Sequence, residues 1–312
     1  MTPDDLRIAL RRCFVVDAEA IVLTGDEPLD LPGMALRRLA FRFRDGQITR
    51  AFLSVPSTPP PWPVVLVLHA HGARYDIGAS ELVDGRPAAA GPLAPDLAAL
   101  GLAALCCDLP CFGSRSAQSE SALSKALLWE GRTLAGRMLS ESVAALDWLT
   151  GQPEFKPGRI GLYGLSMGAT LGYWLAAIDT RIAALAQLCC LADFRALIAS
   201  GAHDLHGPYL TVPGLLPLAG NGRIAGLVAP RPQFVGLGDL DPLTPPFAAD
   251  PALDQLRAAY ARSGGLLRLH RTPDEGHRET PAMRAAVLRF LADALAPELS
   301  PQSPPAGGPA PS

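Results

Sequence analysis

No apolar run in this chain is long. The longest, Leu97–Cys107 and Ile182–Ala192, reach about eleven residues, whereas a membrane-spanning helix needs roughly 18 or more. No leader is evident either. The opening MTPDDLRIALRRC carries acids where a signal peptide wants a basic start, and no apolar stretch follows it. The sequence holds 27 Lys and Arg against 30 Asp and Glu, a net charge of −3, with no basic block. That argues against nucleic acid as a main partner, because phosphate binding needs clustered cations. A C-x-x-C spacing is missing as well, which removes the usual zinc signature. The six cysteines (Cys13, Cys106, Cys107, Cys111, Cys189 and Cys190) include two adjacent pairs inside apolar runs. They read as small hydrophobic filler in a reducing compartment. The chain reads as soluble and cytoplasmic, with no call for a metal or cofactor.

What is present is a large apolar fraction. Of the 312 residues 49% are hydrophobic and 18% charged, the balance of a globular chain with a sizeable core. Residues 1–35 read as a mixed lead-in with a short helix over Asp4–Arg12. From Met34 to Pro56 apolar and polar residues alternate around Asp45-Gly46, a hairpin signal. Val64–Ala70 is an unbroken apolar run, typical of a strand covered on both faces.

Beyond it strands and helices alternate. Strands are expected at Leu102–Asp108, Arg159–Leu165, Ile182–Leu191, Gln233–Gly238 and Leu266–Arg271. Helices are expected at Leu93–Leu100, Arg132–Thr150, Met167–Ile178, Asp250–Arg262 and Pro281–Leu295. This order implies an α/β domain over 36–296, with a mostly parallel sheet between two helical layers. Three long excursions, 74–91, 111–131 and 193–228, interrupt it and read as functional loops or lids. The Pro/Gly/Ser-rich tail 297–312 is expected to be disordered.

The most informative stretch is Gly164-Leu165-Ser166-Met167-Gly168. It joins an apolar strand to an apolar helix. A turn this tight leaves no room for side chains at its ends, and glycine has none. The turn pushes the serine hydroxyl out at the carboxyl rim of the sheet, where the first N–H groups of the helix also point. The spacing is that of a nucleophile elbow in its required strand–turn–helix setting.

A serine hydroxyl needs a base and an orienting acid. Both follow in chain order. GLGDLDPLTPP ends one strand and offers Asp239 and Asp241. LRLHRTPDEGHRETP ends the next and offers His277. Asp241 is favoured, because the prolines after it stiffen its loop. Asp239 lies nearer the strand and reads as a turn cap, and stays as the alternative. For an oxyanion, the backbone N–H of Met167 is one donor. The N–H of Ala73, just after His71-Gly72 in the loop following Val64–Ala70, is the expected second. Phe112, Trp129, Tyr209, His71 and His206 are candidates for the pocket wall. His203 and His206 form an H-x-x-H pair with no evident third ligand, so a metal site is not expected.

The motifs HAHG (69–72), DLPCFG (108–113), GLSMG (164–168), GDLDPLTP (238–245) and EGHRETP (275–281) resemble those of the α/β-hydrolases, more narrowly the branch of dienelactone hydrolases and acetyl xylan esterases. The resemblance covers about residues 40–295. It implies the α/β-hydrolase fold with an eight-stranded, mostly parallel sheet. It also implies ester hydrolysis through an acyl-enzyme, with Ser166 as nucleophile, His277 as base and Asp241 as its acid partner. Dienelactone hydrolases in the strict sense use cysteine where this chain has Ser166, which favours an ordinary carboxylic ester, a small-molecule substrate. Two rivals remain at this point. One is a serine peptidase similar to the prolyl oligopeptidases, and the other a non-catalytic ligand-binding homologue. The oligomeric state, a homodimer included, is left open.

Overall fold

The computed structural model describes residues 1–17, 19–31 and 34–296. The tail expected to be disordered, 297–312, lies outside the described residues. Among the described residues nine strands form one sheet: β1 (Ile21–Leu31), β2 (Met34–Phe43), β3 (Ile48–Val55), β4 (Trp62–Leu68), β5 (Ala103–Cys107), β6 (Phe155–Leu165), β7 (Ile182–Leu188), β8 (Gln233–Gly238) and β9 (Leu267–Thr272). Their order is β1-β2-β3-β5-β4-β6-β7-β8-β9. The strands from β5 to β9 in that order run parallel, and β1, β2 and β3 are added antiparallel at one edge. The six parallel strands therefore present their carboxyl ends at one rim.

The sheet has nine strands rather than eight because part of the lead-in pairs with it. β1 carries Gly25, Pro28 and three acids, and no alternating apolar face announces it. As the outermost strand it needs hydrogen bonds on one side only, so proline is tolerated. Across the ladder charge pairs stand between apolar ones such as Ile21 with Phe43 and Leu23 with Phe41: Asp26 with Arg37, and Glu27 with Arg38 at 2.5 Å.

Helices cover both faces of the sheet in three layers. Pro3–Phe14, Leu134–Gly151, Met167–Ile178 and Pro246–Ser263 pack on one side. Ala94–Ala99 and Pro281–Leu295 pack on the other. Every residue of Met167–Ile178 is buried. The amino-terminal helix lies over it, with Phe14 against Trp174 at a centroid distance of 4.9 Å. The last carbonyls of this buried helix cannot reach water, so arginines supply their donors. Arg7 donates to Ala177, Arg11 to Ile178 at 3.3 Å and Arg231 to Ala176 at 2.5 Å.

The excursions are more ordered than their sequences suggest. Residues 111–131 contain a helix, Glu120–Trp129, capped by the Ser119 hydroxyl. Residues 193–228 contain three short helices: Phe194–Ser200, Leu215–Leu218 and Asn221–Ala225. Among the described residues no helix is long and apolar enough to cross a membrane.

The lead-in helix is part of the core, so Leu10, which is fully buried, should behave as a core residue. Leu10→Ala is expected to cost about 2–5 kcal/mol, read as a lower urea midpoint at unchanged slope. An unshifted midpoint would mean that this helix contributes nothing to the fold.

Candidate active site

Ser166 sits where β6 turns into Met167–Ile178. Its backbone is at φ 56° and ψ −119°, a region that L residues rarely adopt and that is held only by surrounding structure. Two things hold it. The Ser166 N–H donates to the Leu188 carbonyl at 2.8 Å. The glycines on either side permit backbone contact: a Cβ on Gly164 would stand 2.3 Å from the Gly168 backbone, and one on Gly168 would stand 1.8 Å from the Leu68 carbonyl oxygen. The elbow is therefore locked against the end of β4, the strand that leads into His69–Gly72.

The other two residues arrive on the loops after β8 and β9. Asp241 is 1% exposed. Its Oδ1 accepts the Leu243 N–H at 2.8 Å, and its Oδ2 accepts the Thr244 hydroxyl at 2.8 Å. His277 Nδ1 lies 2.7 Å from the same Oδ2, and His277 Nε2 lies 2.8 Å from Ser166 Oγ. The carboxylate can only accept, so Nδ1 carries the proton and Nε2 is left to accept from the serine hydroxyl. Burial alone would raise the pKa of Asp241. The hydrogen bonds from His277, Leu243 and Thr244, with the charge of His277, outweigh it and hold the carboxyl below its usual range. The alternative acid, Asp239, points elsewhere and pairs with Arg271.

The two loops are fastened to each other. The Leu240 N–H donates to the Glu275 carbonyl at 2.9 Å. A Cβ on Gly238 would be 2.4 Å from that same carbonyl oxygen, so only glycine lets the loops meet. Glu279, which the sequence reading passed over, anchors the histidine loop from beneath. Its side chain takes the Tyr163 hydroxyl at 3.1 Å, the Arg284 guanidinium at 2.6 and 2.8 Å and the Ala90 N–H at 3.1 Å. The one signal for it was an acid two residues past a rim histidine, ahead of an amphipathic helix.

On the opposite wall the outcome is mixed. Met167 opens its helix, so its N–H has no intrahelical acceptor and is available at the rim. The Ala73 N–H, expected as the second oxyanion donor, instead donates to His71 Nδ1 at 3.0 Å. His71 Nε2 lies 2.9 Å from Glu120 Oε2, which also accepts the Tyr75 hydroxyl at 2.8 Å. The carboxylate fixes the ring proton on Nε2 and leaves Nδ1 as the acceptor for Ala73. Sequence reasoning could not see this contact, because Glu120 belongs to a helix in the second excursion. Below, Arg86 donates to the His71 carbonyl at 3.2 Å and pairs with buried Glu81 at 3.0 Å. His69 is sealed in, and burial pushes its pKa down to about 4.

Of the expected wall residues, Tyr209 stacks on His71 at 5.8 Å, and Phe112 lies fully buried against the rings of His69, His71 and Tyr75. Trp129 does not belong to the site. It ends its helix 91% exposed, because the helix turns its last residue to solvent. His206 lines a cavity of about 610 Å³ under the third excursion, with Phe194, Leu197, Ile198, Val212 and Leu215 among its walls. The triad side chains do not line this cavity. It borders them through His206, whose Nε2 lies 3.2 Å from the Leu243 carbonyl oxygen, and through Gly207, which packs against His71.

A parallel sheet between helices, a serine on a strained strand-to-helix turn, and an aspartate and a histidine on the loops after later strands together define an α/β-hydrolase. Residues 50–219 match the family model described as X-Pro dipeptidyl-peptidase (S15 family), and the chain belongs to that family. It is 37% identical over 243 residues to a Bacillus subtilis (strain 168) protein named "Putative hydrolase YtaP", covering 77% of this chain and 81% of that protein. Among solved structures it resembles a glucuronoyl esterase from Solibacter usitatus, with a TM-score of 0.66 and 15% identity over 93% of this chain and 92% of the other. It also resembles acetyl xylan esterase 1 from Thermoanaerobacterium sp. JW/SL YS485, with a TM-score of 0.64 and 14% identity over 95% and 94%.

The elbow gives a direct test. Gly168→Ala puts a methyl group into the Leu68 carbonyl and should destabilise the protein by about 3 kcal/mol or more, read by thermal unfolding. A midpoint equal to that of the parent would mean that β4 and the elbow are not locked together.

Proposed function

We propose that this protein is a serine hydrolase of carboxylic esters, acting in the cytoplasm on small-molecule substrates and needing no metal or cofactor. The observation that carries the reading is the chain of hydrogen bonds from Ser166 Oγ through His277 to buried Asp241, at 2.8 and 2.7 Å. His277 takes the Ser166 proton through Nε2 as the serine oxygen attacks the ester carbonyl. Asp241 holds the ring in the tautomer that can accept that proton and stabilises the imidazolium that forms. The carbonyl oxygen, now negative, rests on the Met167 N–H at the positive end of the buried helix. His277 returns the proton to the leaving alcohol, and water repeats the cycle to free the acid.

The cavity beside the site supports an ester with a sizeable apolar group. Its volume is in the usual range for small-molecule sites, and its wall is largely aliphatic and aromatic. Within the α/β-hydrolases we place the chain with the dienelactone hydrolase and acetyl xylan esterase-like branch, with Ser166 in place of the cysteine nucleophile. The solved relatives named above are esterases, which is in keeping with this reading.

The family description favours a second reading, removal of X-Pro dipeptides. Such a substrate brings a free ammonium group that needs a fixed carboxylate. Among the described residues lining the cavity, Asp204 is the one carboxylate, and it is exposed.

Purified protein should hydrolyse p-nitrophenyl esters. Ser166→Ala is expected to lower kcat by about 10⁴-fold or more, and Asp241→Asn by about 10⁴-fold through the wrong histidine tautomer. An activated ester also yields to serine peptidases, so the peptide arm decides between the readings. Faster turnover of alanyl-proline p-nitroanilide than of any alkyl ester would overturn the ester reading in favour of the peptidase. No turnover of either would favour a ligand-binding homologue.

A further inference from the structure

The third excursion reaches the loop that carries Asp241 through His206. Its base is tied down where the Asp193 N–H donates to the Ala248 carbonyl at 2.7 Å. Further along, His206 stands in the cavity wall, and its Nε2 lies 3.2 Å from the Leu243 carbonyl oxygen. A carbonyl only accepts, so the ring proton is on Nε2. The same residue, Leu243, donates its own N–H to Asp241 Oδ1 at 2.8 Å, and the next, Thr244, donates its hydroxyl to Asp241 Oδ2 at 2.8 Å. A continuous run of hydrogen bonds thus leads from the cavity wall, through the backbone of Leu243, to the carboxylate that orients His277.

The electrostatics suit a neutral ring. Burial disfavours the charged form of His206, and the neighbouring His277 and His203 act in the same direction. The Leu243 carbonyl and Asp241 oppose them, and the balance keeps the ring's pKa below its ordinary value. A neutral His206 does not compete with His277 for the charge of Asp241.

We propose that His206 is a positioning residue that ties the wall of the substrate cavity to the triad acid, so that an apolar group filling the cavity holds Asp241 in its working geometry. The inference rests on the ester-hydrolase reading for its kinetic consequence, though not for the contact itself. Binding energy from a part of the substrate remote from the reacting bond is then expressed in kcat as well as KM. Sub-ångström placement of a group that orients the base is worth up to about 10²-fold in rate.

The experiment compares kcat and KM for p-nitrophenyl esters from acetyl to octanoyl in the parent enzyme, His206→Leu and His206→Gln. In the parent, kcat should rise as the acyl chain fills the cavity. His206→Leu keeps an apolar wall and removes the donor. It should lower kcat for the octanoyl ester by about tenfold or more, leave KM within about twofold, and flatten the dependence on chain length. His206→Gln keeps an N–H able to reach Leu243 and should recover most of the loss. His206→Asn, too short to reach, replaces the leucine variant if that one does not fold. Unchanged kcat in the leucine variant, a loss confined to KM, or a glutamine variant no better than leucine would each overturn the proposal. A second readout needs no turnover: the low-field proton resonance of His277 Nδ1–H should weaken or shift in His206→Leu and return in His206→Gln. An inactive parent enzyme showing that pattern would sink the ester reading alone, and an unaltered resonance would sink the inference alone.

Discussion

The site depends first on one close approach of backbone to backbone. Ser166 occupies a conformation that costs energy wherever it occurs, and packing offsets that cost. Gly168 lies so near the Leu68 carbonyl that no side chain fits between them, and Gly164 lies as near to Gly168. This contact joins β4, β6 and the buried helix at one point. Because β4 runs on into His69–Gly72, the contact that strains the serine also sets the wall facing it. The helix behind it has no exposed residue to relax through, and its far end is held by Arg7, Arg11 and Arg231. The hydroxyl is presented by a rigid body, which is what positional catalysis needs.

The second constraint is the treatment of buried acids. Asp241, Glu279, Glu81 and Glu120 are all almost fully buried at the rim, where an unpaired carboxylate would cost several kcal/mol. Each is answered by at least one donor from another segment: Asp241 by His277, Glu279 by Ala90 besides nearby Arg284, Glu81 by Ala70 besides nearby Arg86, Glu120 by His71 and Tyr75. The carboxylates work as rivets that join loops far apart in sequence.

How far this could be read from the sequence follows from the same physics. The parallel strands are legible because they are buried on both faces and appear as apolar runs. Gln233–Gly238 and the helix Pro281–Leu295 lie where their patterns place them. β1 is not legible, since Gly25, Pro28 and three acids break up its apolar residues and its register shifts between Leu23 and Gly25. Ser166, Asp241 and His277 are legible because a tight turn and two strand ends each restrict the residue types allowed. The Glu120–His71 and Glu279–Tyr163 contacts are long-range meetings of ordinary polar residues, and nothing local marks them. Trp129 failed as a wall residue for a related reason: a large aromatic says that something is to be covered, and not where its helix will face.

The hydrogen-bonded centre and the cavity beside it are built from different material. The triad stands on strand ends and on loops fastened to each other, and it shares its fold with esterases at 14–15% identity. The cavity is lined by short helical turns of the third excursion, Phe194–Ser200 and Leu215–Leu218 among them. Elements that short have little stability of their own, so they take their arrangement from the contacts at their edges. His206 on Leu243 and Gly207 on His71 are two such contacts, one on the loop after β8 and one on the loop after β4. A cap held at those two points can change its lining residue by residue while the hydrogen-bonded centre stays as it is.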